Sequence, residues 1–240
     1  MFPYDATLLG AVQAVPQAIR DVLQTLQTID ATCADGDGLK WFNWLYLQVT
    51  QAVEARVGTG GFADPAWLAQ LDVQFARLYF FALKASLSGQ TTSDCWQTLF
   101  ISRNQNAIAR IQFALAGINA HINHDLPEAI VATCQITGTS PDHDGPHYTD
   151  YTALNSTLDG LVESAKRTLN VRLPGDALPP VSHLADTIAA WNVGAARESA
   201  WQSAGHLWQL RPVPSLGSGF MDMLDGFTTV ISKALLVPVP

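Results

Sequence analysis

The stretch AGINAHINHDLPEAI, residues 116–130, sets two histidines, two asparagines and an aspartate into an otherwise apolar run. His121 and His124 are three residues apart, and Asp125 is four beyond His121. At about 100° per residue, an α-helix carries all three on the side of Gly117. Gln112, Asn119 and Asn123 fall on the opposite side, and Ile111, Leu115, Ile118 and Ile122 fill a band between. An apolar band flanked by two polar faces predicts a helix in the middle of a bundle rather than a surface helix with one stripe.

Two kinds of chemistry fit those residue types. Imidazole nitrogen and carboxylate oxygen are ligands of zinc and non-haem iron, and bundles build such sites from i, i+3 pairs. His121, His124 and Asp125 are therefore expected as ligands of a divalent metal, zinc or iron. His147 or Asp150 in GPHYTDY, or Glu198 in AARESAWQSAGHLW, would complete the set. The alternative needs no metal: His121 as general base with Asp125 orienting it. A structural reading stands beside both. Buried amides and imidazoles must find partners or cost about 1–3 kcal/mol each, so the same residues also serve to fix packing.

Other side chains extend these expectations. Glu198 shares a helical face with Gly194, Trp201, Gly205 and Trp208, where a lone carboxylate is either paired, desolvated or at a solvated rim. It is taken as a second acid/base; Arg197, pointing about 100° away, is a poor partner for it. Asp72 sits in the apolar run LAQLDVQFARLYFFAL, with Arg77 and Arg110 as candidate partners for it or for Asp125, the alternative being a surface ion pair of little energetic weight. Trp41, Trp191 and Trp201 are expected to wall a pocket for an apolar ligand, and Asn119 and Asn123 to position substrate polar groups or neighbouring helices. No G-x-S-x-G, P-loop or Rossmann glycine pattern is present.

Helical periodicity must position these groups, and it dominates the chain. The pattern predicts helices at about 6–29, 39–57, 64–87, 149–169, 183–209 and 220–236, and one or two between 93 and 136, broken or kinked by Pro127. Asp64-Pro65 and Ser182 read as helix starts. Asp35-Gly36-Asp37-Gly38 resembles a calcium loop but lacks the glutamate at its twelfth position, and is expected as a solvated turn. The fold class is all-α: one domain over 1–240, a bundle of about eight helices around a central polar-faced helix.

Composition bounds the function. The chain has 240 residues, 48% hydrophobic and 14% charged, with a formal charge of −8. No basic cluster exists, which argues against nucleic acid. No apolar run approaches the ~20 residues that span a bilayer, and the N-terminus lacks a leader pattern, so a cytoplasmic protein is expected. Cys33, Cys95 and Cys134 are isolated and fit buried thiols of a reducing compartment. Oligomeric state is not encoded legibly.

GINAHINHDLPEAI, together with WFNWLYLQVTQAV, LDVQFARLYFFAL, HYTDYTALNSTL and AARESAWQSAGHLW, resembles an all-helical microbial family catalogued as a domain of unknown function. The resemblance spans roughly Leu39 to Leu210, and its most specific part is N-A-H-I-N-x-D-L-P, here Asn119–Pro127. It implies a helical domain centred on this helix, with His121, Asn123 and Asp125 in the signature and His124 at a variable position. That favours a His121–Asp125 pairing over a His121/His124 chelate. It implies no activity. The expected function is an enzyme acting on a small, largely apolar molecule by hydrolysis, isomerisation or cyclisation. The alternative is a non-catalytic protein that holds a hydrophobic ligand.

Overall fold

Ten consecutive residues, Ile111 to Ala120, are buried on every side of one helix. That is the central helix anticipated from two polar faces around an apolar band. The computed structural model describes residues 2–169 and 192–238. In it α6 (Arg110–Ala120) passes into a π turn (His121–Asp125) and on into α7 (Leu126–Thr137). The remaining helices wrap this axis: α1 (Asp5–Ala11), α2 (Ile19–Thr32), α3 (Gly38–Thr59), α4 (Pro65–Leu87), α5 (Asp94–Ser102), α8 (Pro146–Ala153), α9 (Asn155–Leu169), α10 (Val193–Leu210) and α11 (Pro214–Leu235). α3 and α11 flank α6, while α4 and α10 flank α7. One hydrophobic core runs through the bundle, and no strand occurs among the described residues.

Local sequence sets the starts. Asp64 accepts the Trp67 N–H at 3.0 Å ahead of Pro65, and Asn192 accepts that of Ala195 at 2.7 Å. The start expected at Ser182 lies outside the described residues. Long predicted segments are subdivided. The segment at 6–29 opens between Ala11 and Ile19, where Pro16 cannot donate and its carbonyl instead takes Arg77 Nε at 3.0 Å and Nη2 at 2.7 Å. The segment at 93–136 opens after Ser102, and that at 149–169 starts at Pro146 and breaks at Leu154.

The Asp35–Gly38 turn is solvated only in its first half: Asp35 and Gly36 are exposed, whereas Asp37 and Gly38 are buried. Asp37 is 0% exposed and accepts from Leu39 N, Tyr4 Oη, and Nε and Nη2 of Arg103, which also pairs with Asp5 at 3.0 Å. A carboxylate can sit in the interior when donors surround it, and loop composition alone does not reveal them.

Gly117 permits the closest approach in the core. A Cβ there would stand 2.3 Å from the Phe42 ring, so α3 lies against bare α6 backbone. Gly117→Ala is expected to destabilise the fold by about 1–3 kcal/mol through overpacking. Gly160→Ala, on α9 with nothing within 4 Å, is expected to be neutral or to stabilise by up to about 1 kcal/mol. Urea unfolding of the two variants checks the contrast.

Candidate functional site

The π turn begins where α6 must give way to Pro127. Proline cannot continue the i→i−4 ladder and its ring clashes with the carbonyl four residues back, here that of Asn123. Widening the preceding turn absorbs this: the Leu126 N–H reaches the His121 carbonyl, five residues back. The widened turn carries His121, Ile122, Asn123, His124 and Asp125.

Asp125 is its centre. The carboxylate is 2% exposed and takes three N–H groups: Trp96 Nε1 at 2.9 Å and His121 Nδ1 at 2.9 Å on Oδ2, and His124 Nδ1 at 2.8 Å on Oδ1. Burial opposes the charge on Asp125, but the hydrogen bonds from His121 and His124 outweigh it and hold the pKa below the ordinary carboxylate value. Because an ionised carboxylate only accepts, Nδ1 of His121 carries the proton and its Nε2 carries a lone pair.

That Nε2 is buried and has no hydrogen-bond partner among the described residues. The ring stacks on Phe75 with centroids 3.5 Å apart and 6° between planes, and Phe42, Tyr46, Tyr79 and Trp96 surround it. Burial lowers the His121 pKa, more than Asp125 raises it. For His124, 14% exposed at the side chain, burial is outweighed by the hydrogen bond and charge of Asp125, and its pKa is raised. The two imidazoles on one carboxylate therefore differ: His121 is neutral where His124 is charged.

Next to this cluster lies a cavity of about 40 Å³ between α3, α4, α7, α9 and α10, walled mainly by valine and leucine. Tyr46 and Phe75 line it, so these two rings stand between the cavity and His121, which does not line it. Two charged residues do: Asp72, 8% exposed, and Arg197, 6% exposed. Burial, and then the Glu54 charge, push the Asp72 carboxyl up to about 7, and its Oδ2 has no partner. Larger hollows of about 280 and 370 Å³ lie elsewhere. The first is lined by Arg103 and Asp5, already committed to each other, and the second includes Asp21, which caps α2, so the small apolar cavity is the chemically relevant one.

The other sequence-derived candidates are dispersed. Asn119 is spent on α11: its Nδ2 donates to Thr228 O and Ser232 Oγ, each at 3.0 Å, and its Oδ1 accepts Asn123 Nδ2 at 2.8 Å. Gln112 Nε2 bonds Leu235 O at 2.7 Å. These amides position a helix, and none lines the cavity. Glu198 is not beside His121. Its side chain is 36% exposed, takes Tyr148 Oη–H at 2.6 Å, and has His143 Nε2 at 3.9 Å; the Tyr148 bond leads in lowering its pKa. It is the rim carboxylate.

Trp41 lies under Arg110 with 4.3 Å to the guanidinium carbon, Trp201 packs with Trp67 and Tyr151, and Trp191 lies outside the described residues. Trp41 and Trp201 do not wall the cavity. His147 pairs with Asp64 at 3.2 Å, and Asp150 accepts the Ala63 and Asp64 N–H groups at 2.9 and 2.7 Å, so neither approaches the π turn as a ligand. Arg77 is held by Pro16 and so is not the partner of Asp72.

The expected chelate of His121, His124 and Asp125 is not what the geometry builds. Both Nδ1 atoms face the carboxylate at hydrogen-bond distance, and no three His, Cys, Asp or Glu side chains among the described residues converge on a metal position. The three thiols are free and buried, as anticipated.

Arg197 is the residue that sequence reading passed over. The signal was present: Val193, Arg197, Ala200, Trp201 and Ala204 form the buried stripe of α10, and an arginine in such a stripe is desolvated by its register.

A family model described as a family of unknown function (DUF5995) matches residues 19–238. The match begins earlier and ends later than Leu39–Leu210, and it takes in most of the C-terminal tail. No curated protein and no solved structure matches the chain. No helix among the described residues is long and apolar enough to cross a membrane.

The unequal imidazoles give a pH signature. A histidine whose pKa is lowered on folding weakens the fold as pH falls below its ordinary value of about 6.5, and one whose pKa is raised weakens it as pH rises through the raised value. Imidazole ¹H–¹⁵N spectra across a pH series should show His124 titrating above, and His121 below, the ordinary range. His124→Gln should remove the loss of stability on the alkaline side while leaving that on the acid side.

Proposed function

The chain belongs to this family of unknown function, and because membership brings no activity with it, we propose from its geometry that the protein is an enzyme. It acts by acid–base chemistry on a small, largely apolar molecule, with His121 as general base oriented by Asp125. The observation that carries this is the unpartnered, buried Nε2 of His121, set opposite an Nδ1–H anchored on a carboxylate. An acceptor left without a partner in the interior costs about 1–3 kcal/mol. Such a group is a functional candidate where the opposite edge of its ring is held in one tautomer.

Substrate enters through the adjoining cavity. Its volume of about 40 Å³ corresponds to little more than one water's share of liquid, roughly 30 Å³. A larger guest therefore requires a wall to move. Phe75 is only partly buried and forms both the cavity wall and the cover over His121. Swinging that ring joins the two spaces. The hydrogen bond from His124, whose own pKa Asp125 raises against burial, helps hold the Asp125 pKa down and so favours the His121 proton on Nδ1.

A second reading has its own observation. His121 is enclosed by five aromatic rings and does not itself line the cavity, which suits a non-catalytic protein that holds an apolar ligand over a structural histidine.

Mass-spectrometric profiling of a small-molecule extract incubated with the full chain separates the readings. We expect a low-mass apolar compound to be consumed by the wild type and about 10²–10⁴-fold more slowly by His121→Gln, with unchanged circular dichroism. A compound retained by both proteins and consumed by neither establishes the binding reading. Equal consumption by both removes His121 from the chemistry.

A further inference from the structure

Arg197 is a buried cation with no carboxylate in salt-bridge contact among the described residues; the acid that acts on its charge, Asp159, is committed to the Gly194 N–H at the start of α10. Its Nε donates to Asn155 Oδ1 at 2.7 Å and its Nη2 to the Tyr151 carbonyl at 2.8 Å, and its guanidinium lies 3.8 Å over the Tyr151 ring. All three contacts are with neutral groups. It forms no ion pair and no Nη1 hydrogen bond among the described residues, though it lines the cavity. Placing an unpaired charge in the interior costs several kcal/mol, and a protein that only needed to bridge α8, α9 and α10 could do so with a neutral amide. The same cavity holds Asp72, whose Oδ2 is buried and unpartnered. Asp72 and Arg197 form no ion pair with each other, so two ionisable side chains share one space, walled by side chains such as Val53, Leu71 and Leu158 and bounded by the rings of Tyr46 and Phe75.

We infer that this cavity binds the carboxylate of a short aliphatic acid, with the Arg197 guanidinium as counter-ion, the valine and leucine walls around its chain, and the Asp72 carboxyl hydrogen-bonded to it. Planar guanidinium matches carboxylate in shape and charge. Asp72 is suited to donate, because burial and the nearby Glu54 keep it protonated up to about 7. The inference rests on the proposed function only in taking this cavity as the substrate space, and it names the class of molecule that the space selects.

The test uses the full chain and two matched probes, butyrate and butyramide, titrated while methyl ¹H–¹³C shifts are recorded. Butyrate should bind at least about tenfold more tightly than the amide, with its largest shifts at the Val53, Leu71 and Leu158 methyls. Arg197→Lys should retain part of that preference and Arg197→Met should abolish it. Because Arg197 also ties α8 and α9 to α10, a Leu71→Phe variant, which fills the cavity and leaves those bonds intact, provides an independent loss of binding.

Equal affinity for acid and amide overturns the inference, as does binding whose shifts lie away from these methyls, or no binding of either probe. Tighter binding of 2-aminobutyrate than of butyrate also overturns it, since Asp72 would then act as an anion towards an ammonium group. Acid binding with no turnover of any compound sinks the catalytic reading alone, and turnover of a compound lacking a carboxylate sinks this one alone.

Discussion

A single anion fixes the interior. Asp125 sits in the middle of the bundle, and its two oxygens satisfy N–H groups from three side chains, two on its own turn and one on α5. An interior carboxylate is tolerated only when such donors are in place, so the positions of Trp96, His121 and His124 are constrained together. His121 in turn carries Phe75 of α4 on one face and meets Phe42 and Tyr46 of α3 at its edges. One charge thus fixes where four elements meet. A second acid extends the arrangement outward: Asp225 of α11 accepts the Asp94 and Cys95 N–H groups at 2.7 and 2.9 Å, anchoring the start of α5.

The two polar faces of the central helix divide the work by chemistry. Imidazoles and a carboxylate, which change charge, face the aromatic side. Gln112 and Asn119, which do not, face α11 and lock it through its backbone carbonyls and the Ser232 hydroxyl, while Asn123 braces Asn119 by donating to its Oδ1. Amides suit that task, since their bonds are indifferent to pH. The titrating groups are therefore free to be tuned by burial and by each other without loosening the helix on the opposite side.

Much of this was legible in residue order, and the failures share a cause. Periodicity revealed the all-helical class and the central helix, an i, i+4 spacing set His121 and Asp125 on one face, and the family resemblance favoured their pairing over a His121/His124 chelate. What stayed hidden depended on partners distant in sequence. Asp37 reads as a turn residue until Arg103, far along the chain, closes on it. Glu198 and Arg197 are adjacent, and the acid stands out in the sequence because its helical face is otherwise small or aromatic. Their fates are decided by Tyr148 at the rim and Tyr151 beneath it. Pro127 announced a disturbance but not its form: a kink, a break and a widened turn all follow from one missing N–H, and packing against Trp96 and Phe75 selects among them.

The widened turn makes segment length a kind of reading frame. The widened turn takes up one residue more than a regular α-helical turn, so loss of one residue between Ala120 and Leu126 would restore a regular coil, shorten the four-residue spacing of His121 and Asp125, and return the clash of the Pro127 ring with the carbonyl behind it. The face that α7 offers to α4 and α10 would be kept, but the carboxylate on which Trp96, His121 and His124 converge would leave its donors. Surface connections such as that between α7 and α8 absorb deletions by slackening, whereas this buried stretch has no slack. Substitutions that keep its count can drift, but a single-codon deletion here should be as damaging as the loss of a core helix.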